Sequence, residues 1–153
     1  MIKKRQMNIA IIGLGNIGSY LYKYLLSNQK ILSKKNNCFP NIVFVSAKNK
    51  NRKRKINISK KKWLDNYLDA TKSKNVDIII ELIGGAEGAA KKLVFNALKN
   101  KKHVVTANKA LIAKYGDKLS KIAEKNKVNL EFEAAVCGGV PIIRSLKEGL
   151  IAN

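Results

Sequence analysis

Residues 7–12 form an apolar run that stops at Gly13. A different pattern follows it: Ile17, Tyr20, Leu21, Tyr24 and Leu25, spaced one, three or four apart. The first is the pattern of a strand covered on both faces, the second that of a helix with one apolar face. The alternation continues along the chain. Strands are predicted over 7–12, 41–45, 77–83, 103–106 and 128–133, and helices over 17–26, 64–70, 86–98, 117–125 and 141–150. A polar stretch over 27–37 is expected between the first helix and Pro40, with a short extra turn near Ile31 and Leu32. The third helix is the clearest, because Ala86, Ala90, Leu93, Val94, Ala97 and Leu98 share one face with lysines opposite. Pro141 suits the first position of the last helix, where its missing N–H is not needed. Strands alternating with crossover helices predict an α/β domain built on a doubly wound parallel sheet.

The hexapeptide Gly13-Leu14-Gly15-Asn16-Ile17-Gly18 falls where such a sheet binds dinucleotides, between the first strand and the first helix. Gly13 suits the tight turn, Gly15 leaves room for a pyrophosphate against the backbone, and Gly18 lets the helix pack closely. Free N–H groups and the positive end of the helix dipole supply the anion site. A glycine turn of purely structural use is the alternative. With a strand before it and a helix after it, the motif favours the ligand. Residues 1–153 are therefore expected to form a Rossmann-type NAD(P)-binding domain.

Composition narrows the class. The chain has 153 residues, enough for one domain with a core, and its 46% hydrophobic content argues against general disorder. Its apolar stretches fall short of the roughly 18–20 residues that span a bilayer. The basic residues 1–6 lead straight into a strand that the glycine turn cuts short, a poor signal peptide. Cys38 and Cys137 suggest no disulfide framework, and a reducing cytoplasm is the expected compartment. Charge is the unusual property: 31 Lys and Arg against 10 Asp and Glu, net +21. Such a surface attracts polyanions, and nucleic-acid binding is one reading of it. Yet the lysines are spread along the whole chain, without an aromatic-rich single-strand motif among them. A coding bias toward Lys, Asn and Ile at exposed positions accounts for the same charge.

The end of the second strand decides which dinucleotide fits. An NAD-specific domain places Asp or Glu there to bind the adenosine ribose. Here Val45-Ser46-Ala47-Lys48 is followed by Lys50, Arg52, Lys53 and Arg54, without a carboxylate. Lys48 or a nearby arginine would pair with a 2′-phosphate that a carboxylate would repel. NADP(H) is the expected coenzyme and NAD(H) the second choice; a merely solvated basic loop is the alternative. Asn108 and Lys109 sit just past the carboxyl end of a strand, where ligands of such sheets bind. Lys109 is either a cation facing the ligand or one more lysine in solvent. Glu131 and Glu133 are expected on opposite faces of the last strand, so they form no acid–base pair. Glu133 precedes an apolar, glycine-bearing turn over 134–141, whose carbonyls together with that carboxylate suit a hard cation. His103 is expected at the far edge of the sheet in a structural role, and Cys137 as a small buried side chain. One histidine and two distant cysteines make no zinc-type cluster.

Three strings resemble homoserine dehydrogenases: Glu81-Leu82-Ile83-Gly84-Gly85, the stretch from His103 to Ala113 with Thr106-Ala107-Asn108-Lys109 at its centre, and Glu133-Ala134-Ala135-Val136-Cys137-Gly138-Gly139-Val140-Pro141-Ile142-Ile143. Together with the glycine turn they span nearly the whole chain. The resemblance implies NAD(P)-dependent interconversion of L-homoserine and L-aspartate 4-semialdehyde, in threonine and methionine biosynthesis. It implies that Leu14, Asn16 and Ile17 contact the dinucleotide, that Ile83 lies at the nicotinamide side, and that Lys109 reaches coenzyme and substrate. It further implies a monovalent cation, usually sodium, enclosed by Glu133, Val136, Gly138 and Val140. Cys137 stands where the family usually has alanine or glycine. The family's second domain, which binds the substrate, carries the proton-transfer residues and forms the dimer, is not seen before Asn153. The chain is thus expected to hold coenzyme with little or no turnover alone, and to work in a homo-oligomer of the complete enzyme. Membrane and nucleic-acid partners are not expected. A stand-alone dinucleotide-binding regulatory module is the other reading of the same residues.

Overall fold

The first apolar run becomes a central strand because both of its faces are covered. The structure is a computed structural model and describes residues Arg5–Val136. In β1 (Arg5–Ile12), Ile9 and Ile11 enter one apolar cluster with Leu14, Tyr22, Ile42 and Val45. Ala10 and Ile12 enter the opposite cluster with Ile79, Leu93, Val104 and Leu111. The two-residue period of a strand sends successive side chains to opposite layers. β2 (Cys38–Ser46), β3 (Ile78–Glu81), β4 (His103–Thr106) and β5 (Leu130–Glu131) complete a parallel five-stranded sheet in the order β2-β1-β3-β4-β5. α1 (Asn16–Asn36) supplies Tyr22 to the first layer. α2 (Asp69–Lys72), α3 (Ala89–Lys99) and α4 (Lys109–Asn126) supply Ala70, Leu93 and Leu119 to the second. A final short helix, α5, spans Glu133–Val136. Each fully buried leucine of these layers contributes about 1.5–3 kcal/mol of transfer free energy.

Two features of this sheet position a site. Chain order reverses at β1, which has β2 on one side and β3 on the other. In open α/β sheets a crevice opens at that reversal, outside the carboxyl ends of the strands. The register also places Ser46, Ile12, Glu81 and Thr106 side by side across four strands. The loops that follow them therefore leave the sheet along one edge.

Several element boundaries differ from the sequence pattern. α1 runs to Asn36, through the stretch expected to be irregular. Its inward face there carries Gln29 and Ser33, and Gln29 donates to the Pro40 carbonyl at 2.9 Å. Polar inward residues hide the apolar period. β2 begins at Cys38 with Pro40 inside it, which an edge strand tolerates because one side of its backbone needs no donor. The helix expected over 64–70 is instead a 3-10 turn at Lys60–Lys62 and the single turn of α2. α3 starts at Ala89 rather than 86, because Gly84, Gly85 and Gly88 all take positive φ. α4 starts at Lys109, eight residues before the expected 117. Asn108 caps it by accepting from the Leu111 N–H, and Leu111 and Tyr115 anchor its first turns. β5 ends at Glu131, so Glu133 is not a strand residue opposed to Glu131; it begins α5. The predicted helix 141–150, Cys137 and Pro141 lie outside the described residues.

Candidate functional site

The turn after β1 is wedged between the ends of β2 and β3. Gly13 donates to the Ser46 carbonyl at 2.9 Å and has φ +107°. A Cβ on it would come within 2.4 Å of the Leu82 carbonyl oxygen. A Cβ at Gly18 would meet the Gly13 carbonyl oxygen at 2.0 Å, so the helix approaches its own turn as closely as backbone allows. Gly15 differs: a Cβ there would point into open space. It is the N-cap of α1, without a side-chain cap, and the first turn holds no acidic residue. The first amides of a helix have no intrahelical acceptor. Uncapped amides, open space above Gly15 and the dipole end suit an anion pressed against the backbone. Asn16 and Ile17 are exposed beside it, whereas the Leu14 side chain is buried in the first apolar layer and only its backbone faces the turn.

Beyond β2 the cation-rich segment divides. Lys48 is exposed at the strand end, whereas Lys50 pairs with Asp65 at 2.8 Å. Arg54 turns inward, donating from Nε to the Leu14 carbonyl at 3.0 Å. These partners lie 15 and 40 residues away along the chain, and local sequence carries no sign of them.

A second polar cluster organises the loops after β3 and β4. Glu81 is fully buried. Its Oε1 accepts from the Ile83 N–H at 2.7 Å and the Gly84 N–H at 3.2 Å, and its Oε2 accepts from the Thr106 hydroxyl. Thr106 Oγ1 in turn accepts from the Asn108 N–H at 3.1 Å. Asn108 Nδ2 donates to the Gly85 carbonyl at 2.7 Å, while its Oδ1 caps α4. This closed set fixes Ile83, 40% exposed, and Lys109, exposed as the first residue of α4. Sequence reasoning read Glu81 only as part of a family string. Its signal was a carboxylate inside the apolar run 78–83. Farther out, Glu87 accepts from Lys114, Tyr115 and Lys91, and these three donors pull its carboxyl from 4.5 down to about 2. That cluster straps the loop before α3 onto α4.

Of the residues expected to hold a cation, Glu133 opens α5 and Val136, 41% exposed, closes it. Gly138 and Val140 lie outside the described residues. Among the described residues, no three His, Cys, Asp or Glu gather as a metal site. His103 Nδ1 accepts from the Asn129 N–H at 3.0 Å at the opposite edge of the sheet, a structural bond that places the proton of the neutral ring on Nε2. Among the described residues, no helix is long and apolar enough to cross a membrane.

A parallel sheet with helices on both faces, carrying a glycine turn and an uncapped helix start at its order reversal, is a Rossmann-type dinucleotide-binding domain. Residues 13–133 match the family described as homoserine dehydrogenase, NAD binding domain, and the chain belongs to that family. Homoserine dehydrogenase of Bacillus subtilis (strain 168) is 39% identical over 149 residues, covering 97% of this chain and 34% of that protein. A crystal structure of a homoserine dehydrogenase from Thiobacillus denitrificans superposes with a TM-score of 0.86 at 36% identity, over 97% of this chain and 34% of that one. A hyperthermophilic archaeal homoserine dehydrogenase in complex with NADPH shares the fold at 23% identity and a TM-score of 0.73, over 96% of this chain and 50% of that one. The chain spans about a third of the length of the Bacillus subtilis and Thiobacillus denitrificans proteins.

Proposed function

We propose that this chain is the coenzyme-holding part of a homoserine dehydrogenase that prefers NADP(H) over NAD(H). The observation that carries the reading is the turn Gly13–Gly18, set where the sheet order reverses and opening on uncapped amides. The amides around Gly15 bind the diphosphate, with Asn16 and Ile17 beside it, while Gly13 and Gly18 permit the turn and Leu14 anchors it from the core. Lys48 pairs with the 2′-phosphate, since its side chain is exposed at the end of β2 and the segment offers no carboxylate to compete. Ile83 offers an apolar surface to the nicotinamide ring. Lys109, exposed as the first residue of the helix that Asn108 caps, orients with its ammonium the polar groups of coenzyme and substrate. When bound, the coenzyme supplies or accepts the hydride that interconverts L-aspartate 4-semialdehyde and L-homoserine.

The Bacillus subtilis and Thiobacillus denitrificans proteins are about three times as long as the span matched here, and the resemblance implies that the substrate-binding and proton-transfer residues belong to the remaining part. We therefore assign the reaction to this chain in company with such a part, as a cytoplasmic homo-oligomer. By the same resemblance, Glu133 would offer a carboxylate and Val136 a carbonyl oxygen to a sodium ion, and Gly138 and Val140 would belong to the same set. The test is calorimetric titration with NADPH and NADH, repeated on Lys48→Glu. NADPH is expected to bind more tightly. Lys48→Glu should cost roughly tenfold in NADPH affinity and much less in NADH affinity, as loss of one charge-assisted pair predicts. Wild-type protein that is folded and binds neither coenzyme would end the proposal.

A further inference from the structure

The segment 48–55 carries six lysines and arginines in eight residues, Lys48, Lys50, Arg52, Lys53, Arg54 and Lys55. Like charges so close together repel, and an isolated segment of this kind stays extended and solvated. Here it is folded around one of its own members. The Arg54 guanidinium donates from Nη1 to the Lys50 carbonyl at 3.3 Å and the Arg52 carbonyl at 2.9 Å, and from Nη2 to the Asn49 carbonyl at 2.8 Å. Its Nε donates to the Leu14 carbonyl at 3.0 Å, inside the glycine turn. Its central carbon lies 5.5 Å from the centre of the Trp63 ring, and Trp63 is itself bridged to Val45 of β2. Four of the five N–H donors of a guanidinium are thus committed to backbone carbonyls. Burial, and after it the neighbouring Arg52 charge, press the Arg54 pKa downward.

Resting on the coenzyme reading above, we infer that Arg54 is a positioning residue for coenzyme specificity. It shapes the 48–55 segment into a rigid cationic rim and ties that rim to the turn that grips the diphosphate. It does not serve as a phosphate ligand, because its donors are spent on carbonyls. The distance between the diphosphate and the 2′-phosphate of NADP(H) is set by covalent bonds. A rim fastened to the Leu14 carbonyl keeps Lys48 and the other free cations at a constant reach from the turn, and binding then costs little ordering of a charged loop. The geometry needs a planar fork with several donors in one plane. Lysine, a point charge with three donors on a flexible stem, cannot reproduce it.

Two measurements on the 153-residue protein test this, with Arg54→Lys and Arg54→Ala. The first needs no ligand. Trypsin sites inside 48–55 survive the lysine substitution, so cleavage there reports only how firmly the segment is held. Cleavage is expected to speed up roughly tenfold in both variants, following the rise in the locally open population. The second is the ratio of NADPH to NADH affinity. That ratio is expected to fall roughly tenfold in Arg54→Lys although its charge is kept, because the loss lies in positioning rather than in Coulomb attraction. Equal loss for both coenzymes, or Arg54→Lys with the wild-type ratio, would overturn the inference. So would unchanged cleavage within 48–55. Wild-type protein that binds neither coenzyme but shows the expected change in cleavage would overturn the coenzyme reading while upholding Arg54 as the residue that orders the segment.

Discussion

At the scale of single residues, the three glycines of the turn have unequal duties. Gly13 and Gly18 are demanded by the fold: a methyl group on either would collide with a carbonyl oxygen of the backbone, at 2.4 Å and 2.0 Å. Backbone cannot swing aside as a flexible side chain can. Gly18→Ala is expected to destabilise the protein by roughly 2–4 kcal/mol in denaturant titrations, the range for overpacking against an unyielding neighbour. Gly15 has φ −73° and ψ −157° and open space beside it, so alanine fits there without strain. Gly15→Ala should leave the melting temperature within a few degrees of wild type. Its cost should appear in coenzyme affinity, because a methyl group would occupy the open space proposed for the diphosphate. Equal damage to stability from both substitutions would contradict this division.

At the scale of elements, the ends of β3 and β4 are held together by polar contacts where apolar packing gives out. Glu81 is buried between them and satisfied by two loop amides and the Thr106 hydroxyl. Leaving a buried polar group of this kind unsatisfied costs about 1–3 kcal/mol. That arrangement makes the loop of Ile83 and the start of α4 one unit. The outer strap of Glu87, Lys91, Lys114 and Tyr115 joins the same pieces in solvent, and its pH dependence has a definite sign. The Glu87 carboxyl is depressed from 4.5 to about 2, so its contribution is complete above pH 4.5 and is lost as pH falls toward 2. Glu87→Gln should therefore melt slightly below wild type at pH 6, and the gap should close by pH 2. Because the cluster is exposed, the gap is expected to be no more than roughly 1–3 °C and to shrink in high salt. A gap that widened in acid would refute the assignment.

At the scale of the whole molecule, the loops after β1, β2, β3 and β4 meet along one edge and form an open ledge. Gly15, Asn16, Ile17, Lys48, Ile83 and Lys109 all face solvent there. An open ledge suffices to bind a dinucleotide. Hydride transfer demands more: an oriented substrate and an excluded solvent. The protein is expected to bind NADPH and yet show little or no reduction of aspartate 4-semialdehyde. Coupled absorbance measurements with saturating coenzyme would check this, and ordinary dehydrogenase rates from the 153-residue chain would refute it.

Sequence by itself determined the class of fold and the location of the glycine turn between β1 and α1. Covered strands and one-faced helices leave periodic marks that need no partner to be read, and a turn that excludes Cβ atoms must be written in glycine. It also placed Lys48 and Lys109 at strand ends, because those positions follow from the strands themselves. Tertiary structure decided what each polar residue faces. The same run of cations holds a lysine paired to Asp65 and an arginine folded onto Leu14, and composition cannot sort them. The full length of α1 was hidden because its inward face turns polar where it reaches Pro40, and the start of α4 because its cap is one asparagine shared with the β3 loop. The physical reason is common to all of these: periodicity is a local property, whereas a hydrogen-bond partner tens of residues away exists only once the chain has folded.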